Sequence, residues 1–259
     1  MKYKAKKSLG QNFLKSEKAL KQIIKASGIV PTDVILEIGP GTGALTTKLL
    51  ETGAIVIAIE KDRELIPLLT EKFNTYIENK KLILLEDDIL LCDIEKIFKK
   101  LKVNNYKLVA NIPYYITGAI MRKFFENNHQ PTLMTLLVQK EVAERIVSKN
   151  NKETLLSLSV KAFGIPKIIA IVPRGAFAPA PGVDSAIITI SNINRKNFTN
   201  KEHENRFFTY IHLGFAHKRK TLWHNFKEIH REKLFTENTL DQKTRAEDID
   251  IKMWIQITK

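Results

Sequence analysis

Apolar runs of five or six residues alternate with amphipathic stretches over the first half of the chain. Residues 34–38 (VILEI), 54–59 (AIVIAI), 81–85 (KLILL) and 106–110 (YKLVA) read as strands covered on both faces, because near-continuous Val, Ile and Leu leave no side for water. Helical spacing fills the gaps between them. The pattern ALTTKLLETG stops at Gly53, and the pattern that opens near Asp62 contains Pro67, so that helix either kinks there or starts later. Farther on, 117–127, 140–148 and 153–164 read as helices, 132–139 as a strand, and 168–172 and 186–190 as a late strand pair. Strands alternating with helices predict an α/β fold with a doubly wound parallel sheet. Residues 191–205 (SNINRKNFTNKEHEN) are polar, asparagine-rich and aperiodic, and the chain after them looks helical. The expected division is therefore a first domain over 1–190 and a small helical C-terminal domain over 191–259.

The first strand runs into Gly39-Pro40-Gly41-Thr42-Gly43 and then into a helix. Glycines let backbone approach a ligand closely, and the following helix start offers free N–H donors, so this is a Rossmann-like cofactor turn. The second strand ends in Glu60, twenty-one positions after Gly39, where a carboxylate can hydrogen-bond both hydroxyls of a ribose. The third runs into Glu86-Asp87-Asp88, acids placed to address an adenine edge. An adenosine-containing cofactor follows. Gly39-x-Gly41-x-x-Ala44 also satisfies the dinucleotide fingerprint, so the motif alone fits both NAD and S-adenosylmethionine.

What separates them stands after the fourth strand, in Asn111-Ile112-Pro113-Tyr114. Proline fixes its own φ and pushes Ile112 into an extended conformation, so the Ile112 carbonyl is aimed. That carbonyl and the Asn111 side-chain oxygen can accept hydrogen bonds from an exocyclic amine, while Tyr114 offers a face for the base. Two acceptors on one amine draw its lone pair out of conjugation and toward a methyl donor. The tetrapeptide also has a plain reading as a loop-starting turn. No hydride-transfer constellation accompanies the glycine turn, and the expected cofactor is S-adenosylmethionine.

Composition adds a partner. The formal charge of +14 over 259 residues points to a polyanion, since each phosphate met by Lys or Arg releases counterions. The excess is shared: 191–259 carries 14 Lys and Arg against 9 Asp and Glu. Basic residues interleave with aromatics and histidines at 1–7 and 215–233, which marks Lys218, Arg219 and Lys220 as candidate RNA contacts. A single cysteine, Cys92, excludes an internal disulfide and reads as a small packed side chain. None of the six histidines is paired at the i, i+4 spacing of a helical zinc site, so no catalytic metal is expected. No segment has the length of a signal-peptide core or a membrane span, and a cytoplasmic monomer is expected.

Several segments together resemble the KsgA family of ribosomal RNA adenine dimethyltransferases. They are 10–14 (GQNFL), 37–43, Glu60, Asp88, 111–114, 139–142 (QKEV), 177–185 (FAPAPGVDS), 215–222 (FAHKRKTL) and 245–247 (RAE). Their order and spacing, across nearly the whole chain, are far more specific than any one of them. The resemblance implies that Asn12, Leu14, Gly39, Glu60, Asp88 and Asn111 contact S-adenosylmethionine and that Tyr114 and Phe177 sandwich the target adenine. It also implies the substrate: two adjacent adenosines in a 3′-terminal hairpin of small-subunit ribosomal RNA, each methylated twice at N6, within an assembling small subunit. Prolines 179 and 181 suit a rigid loop presenting Phe177, whose other reading is a core side chain. Two departures stand out: Leu155-Leu156 replaces a common Tyr-Gly pair, and His217-Lys218 a common Gln-Arg. Three other functions share parts of this pattern: a large-subunit adenine methyltransferase of the antibiotic-resistance type, a non-catalytic RNA-binding assembly factor, and a nicotinamide-dependent dehydrogenase. The expected chemistry is in-line attack of adenine N6 on the donor methyl, with alignment alone supplying roughly 7–11 kcal/mol in favourable cases.

Overall fold

The computed structural model describes residues 3–6, 9–229 and 231–259. The chain divides into two compact units, one of 1–143 with 167–193 and the other of 144–166 with 194–259.

The first unit is built on a seven-stranded sheet. In chain order it runs β1 (Phe13–Leu14), α1 (Glu17–Ser27), β2 (Val34–Ile38), α2 (Ala44–Leu50), β3 (Ile55–Glu60), α3 (Leu65–Lys72), α4 (Asn74–Glu78), β4 (Leu82–Glu86), α5 (Ile94–Leu101), β5 (Lys107–Asn111), α6 (Thr117–Glu126) and β6 (Leu133–Gln139). After α7 (Lys140–Ile146) and α8 (Leu155–Lys161), β7 (Ile165–Val172), β8 (Phe177–Ala178) and β9 (Ser185–Ser191) return to it. The sheet order is β4-β3-β2-β5-β6-β9-β7. Strands β2 to β6 pair in parallel, and β9 runs antiparallel to β6. Ile35, Leu36, Val56, Ile57, Leu108, Val109 and Leu136 are fully buried, as parallel strands covered on both faces require. The strand order reverses between β2 and β5, and the crevice outside their carboxyl ends is where open α/β sheets bind ligands. A separate two-stranded ribbon pairs β1 with β8, Leu14 opposite Phe177.

The helix α3 starts at Leu65, later than the pattern that opens near Asp62, which leaves Pro67 in its first turn, where the missing N–H breaks no helical bond. The helix α1 is capped at both ends: Ser16 accepts from the Ala19 N–H, and Gly28 closes it in the left-handed region.

The second unit gathers α8 with α9 (Lys201–Gly214), α10 (Leu222–Asn225), α11 (Arg231–Glu237) and α12 (Ile251–Gln256). Its division from the first differs from the linear one at 190, because residues 144–166 belong with the C-terminal helices. The cause is aromatic packing: the Phe163 ring lies 5.6 Å from Phe198 and 6.0 Å from Phe208. A chain that leaves the sheet and later rejoins it gives no compositional boundary at either crossing.

Candidate active site

The carboxyl ends of β2, β3, β4 and β5 converge on one cavity of about 160 Å³. Its wall contains Asn12, Leu14, Gly39, Gly41, Glu60, Asp88 and Asn111, together with Ile112, Pro113 and Tyr114. Ten positions drawn from four strand ends and the N-terminal segment therefore share one space.

Between β2 and α2 the turn contains three glycines with positive φ, and at two of them a side chain would also clash. Gly41 has φ 59°, and a Cβ there would sit 2.9 Å from the Phe13 ring. Gly43 has φ 77°, forms the N-cap of α2, and would place a Cβ 2.5 Å from Phe73. Any side chain at either position meets both backbone strain and a clash.

Glu60 closes this turn from the end of β3. Its Oε2 accepts the Gly41 N–H at 3.0 Å and its Oε1 accepts the Asp62 N–H at 2.8 Å. Burial raises its pKa, and those backbone donors pull the other way. Glu37, at the end of β2, is the more extreme acid: burial pushes it up to about 8, the Thr46 hydroxyl opposes this and the charge of Glu60 adds to it. Asp88 pairs with Lys61 at 2.8 Å, which holds its carboxyl below the usual range, and its Oδ1 accepts the Leu90 N–H at 2.9 Å.

The Asn111 amide is oriented by its partner. Its Nδ2 donates to the Asn12 carbonyl at 3.1 Å, so the opposite oxygen is the atom presented as an acceptor. Pro113 (φ −57°, ψ 133°) starts a 3₁₀ turn over Tyr114–Ile116 that leads into α6, and the turn is closed by the Ile116 N–H on the Pro113 carbonyl. The Ile112 carbonyl takes no part in that closure. The Tyr114 hydroxyl lies 2.6 Å from Ser185 Oγ on β9, which tethers the tip of the ring; burial raises the pKa of the phenol.

Two groups of expected residues lie elsewhere. Phe177 is only 5% exposed and packs in the hydrophobic core, and it is absent from the cavity wall. Lys218, Arg219 and Lys220 belong to the second unit and are exposed, and the Lys218 carbonyl accepts from Arg245 at 2.6 Å. Of the basic stretch at 1–7, Met1, Lys2 and Lys7 lie outside the described residues, as does His230 of the stretch at 215–233. Glu37, Lys61 and Tyr115 also stand in the cavity wall, with no role read for them from the sequence. Only Glu37 carried a signal, as an acid inside an apolar strand run. Among the described residues no three His, Cys, Asp or Glu gather as a metal site would require, and no helix is long and apolar enough to cross a membrane.

The "Ribosomal RNA small subunit methyltransferase A" of Dehalococcoides mccartyi strain CBDB1 is 47% identical over 219 residues, which cover 85% of this chain and 73% of that one. The protein of the same name from Fusobacterium nucleatum is 37% identical over the whole of this chain and 98% of its own. A dimethyladenosine transferase from Plasmodium falciparum, known from its crystal structure, superposes with a TM-score of 0.78 at 26% identity, covering 95% of each chain. The family model for ribosomal RNA adenine dimethylases matches residues 2–259, and the chain belongs to that family.

Proposed function

We propose that this chain transfers methyl groups from S-adenosylmethionine to N6 of two adjacent adenosines in a 3′-terminal hairpin of small-subunit ribosomal RNA, giving N6,N6-dimethyladenosine. The observation that carries the reading is the single cavity joining the glycine turn, Glu60 and Asp88 to Asn111–Tyr114. The names of its bacterial relatives, one of them matched along 98% of its length, support the small subunit as the source of the RNA.

The residues present fit an adenosyl donor. Glu60 retains acceptor capacity on both oxygens toward ribose hydroxyls, Asp88 and the backbone after it address the adenine edge, and Gly39 and Gly41 leave room for the donor to lie against the turn. S-adenosylmethionine supplies a methyl group on a sulfonium centre, activated for transfer without a metal. Asn12 and Leu14 close over it from the N-terminal side.

On the substrate side, the Asn111 oxygen and the Ile112 carbonyl accept the hydrogens of the adenine amine. Positive charge developing on nitrogen is met by these two dipoles, and no general base is required while nitrogen, carbon and sulfur are held in line. Tyr114 stacks on the base; Phe177, the second stacking partner that the family implies, is packed in the core outside the cavity wall. An adenine in a loop lowers the unstacking cost. The exposed Lys218, Arg219 and Lys220 of the C-terminal unit bind the RNA backbone. The enzyme acts as a cytoplasmic monomer on an assembling small subunit.

Transfer of labelled methyl from S-adenosylmethionine to unmethylated small and large ribosomal subunits in parallel, with the product nucleoside identified by mass spectrometry, tests this. Dimethyladenosine in the small subunit alone is expected. Label in the large subunit would favour a resistance-type activity. No label in either, with the donor bound, would favour a non-catalytic assembly factor.

A further inference from the structure

The N-terminal residues that wall the cavity are held from outside it by one buried carboxylate. Asp62 is 3% exposed, two positions beyond Glu60, and is not itself part of the cavity wall. Its Oδ1 accepts from Lys6 Nζ at 2.7 Å and from the Glu64 N–H at 3.1 Å. Its Oδ2 accepts from Gln11 Nε2 at 2.9 Å and from the Tyr3 hydroxyl. Gln11 Oε1 in turn accepts the Lys6 N–H at 2.8 Å. Burial alone would raise the Asp62 carboxyl; Lys6, Tyr3 and Gln11 outweigh it and hold it at about 2.

On its other side, the Asp62 N–H donates to Glu60, whose second oxygen takes the Gly41 N–H. A continuous hydrogen-bonded path thus runs from the glycine turn through Glu60 and Asp62 to the segment carrying Gln11 and Asn12. That segment closes one side of the cavity. Gly10, with φ 62°, lies so close under the Tyr115 ring that a Cβ there would be 3.1 Å from it, and the Asn12 carbonyl is the group that orients Asn111. Four donors converging on one buried acid is more than anchoring a chain end demands, and all but the Glu64 N–H come from this segment.

We propose that Asp62 is a positioning residue of the donor site: it clasps the N-terminal segment across the cavity and so sets how long the methyl donor is retained. The proposal rests on the reading of the cavity as an S-adenosylmethionine site. A structural anchor and a retention clasp differ in what they move. Loss of an anchor lowers stability, whereas loss of the clasp opens one wall of the pocket and shortens residence, and a bound donor brings back the Asn12 carbonyl that orients Asn111. The effect falls on KM for the donor rather than on kcat, because a saturating donor closes the segment again.

The test uses the full chain with Asp62→Asn, which keeps the shape but removes the charge, and Lys6→Met, which removes one partner from a partly exposed position. S-adenosylmethionine affinity by calorimetry, its dissociation rate by stopped-flow chase, steady-state KM and kcat on small subunits, and thermal midpoint are measured together. Each variant is expected to bind the donor about tenfold more weakly, the value of one charge-assisted hydrogen bond, through faster dissociation and with kcat within about twofold of the parent. Unchanged affinity and dissociation rate in folded variants would overturn the clasp, as would a fall in kcat at unchanged KM. If Asp62→Asn does not fold, Lys6→Met alone decides. Failure of the unaltered chain to bind the donor would overturn the cofactor reading itself, and the clasp with it.

Discussion

Asn111 and Asn12 are 99 positions apart in sequence and joined by one hydrogen bond, from the Asn111 amide nitrogen to the Asn12 carbonyl at 3.1 Å. That bond decides which end of the Asn111 amide faces a ligand. It also ties the loop of Asn111–Tyr114 to the N-terminal segment that shares the cavity wall with it.

Asn111→Ala is expected to lower methyl transfer by about 10²–10³-fold, the scale seen when one aimed polar group is removed from a transition state. Donor affinity should weaken only a few-fold, since Glu60 and Asp88 remain. Single-turnover transfer and calorimetry on the same preparation separate the two, and near-normal turnover would remove Asn111 from the chemistry.

Glu60→Ala acts on the other parameter. It strips the Gly41 and Asp62 N–H groups of their acceptor at 3.0 and 2.8 Å and removes the proposed ribose partner. A rise in the donor dissociation constant of at least about tenfold is expected, worth about 1.4 kcal/mol. An unchanged constant would place the ribose elsewhere.

Tyr114→Phe keeps the ring and removes the 2.6 Å hydrogen bond with Ser185, whereas Tyr114→Ala removes the ring. If stacking is the role, the first variant should retain most activity and the second should lose nearly all of it. Equal losses would mean that the hydroxyl, not the face, matters. Phe177→Ala, by contrast, opens a hole in the core as well as removing a stacking partner, so its activity must be read beside its thermal midpoint.

The buried Glu37 gives stability a pH dependence of definite sign. Its folded pKa of about 8 lies above the ordinary 4.5, so the folded state keeps a proton that the unfolded state has released. Stability is fully present below about 4.5 and falls, by up to about 1.4 kcal/mol per pH unit, as pH rises toward 8. Glu37→Gln should flatten that decline in urea titrations taken across the window. A parallel decline in the variant would assign it to other groups.

Neutralising Lys218, Arg219 and Lys220 together should weaken RNA binding and reduce the salt slope by about 0.7–0.9 log units for each phosphate left without its cation. Filter binding over a range of salt concentrations measures it. A slope equal to that of the parent would make these side chains a solvated face.

Much of this protein is set by local chemistry. Near-continuous apolar residues in 34–38 and 54–59 read as buried strands, and Gly41 and Gly43 stand where φ is positive and a Cβ has no room. Pro113 presets the turn after Asn111 whatever surrounds it. Those features depend on neighbours within a few residues, which is why the sheet, the cofactor turn and the acceptor loop are legible from the chain alone. Tertiary structure decided the rest. Phe177 is in the core because a two-residue ribbon pairs it with Leu14, and strands that short carry no periodicity. Residues 144–166 join the C-terminal helices because Phe163 finds Phe198 and Phe208, an aromatic cluster drawn from segments that sequence spacing does not connect. Nothing in the sequence marks Asp62 as buried, and only the fold gathers Tyr3, Lys6 and Gln11 around it, since a buried carboxylate is defined by donors that arrive from more than fifty residues away.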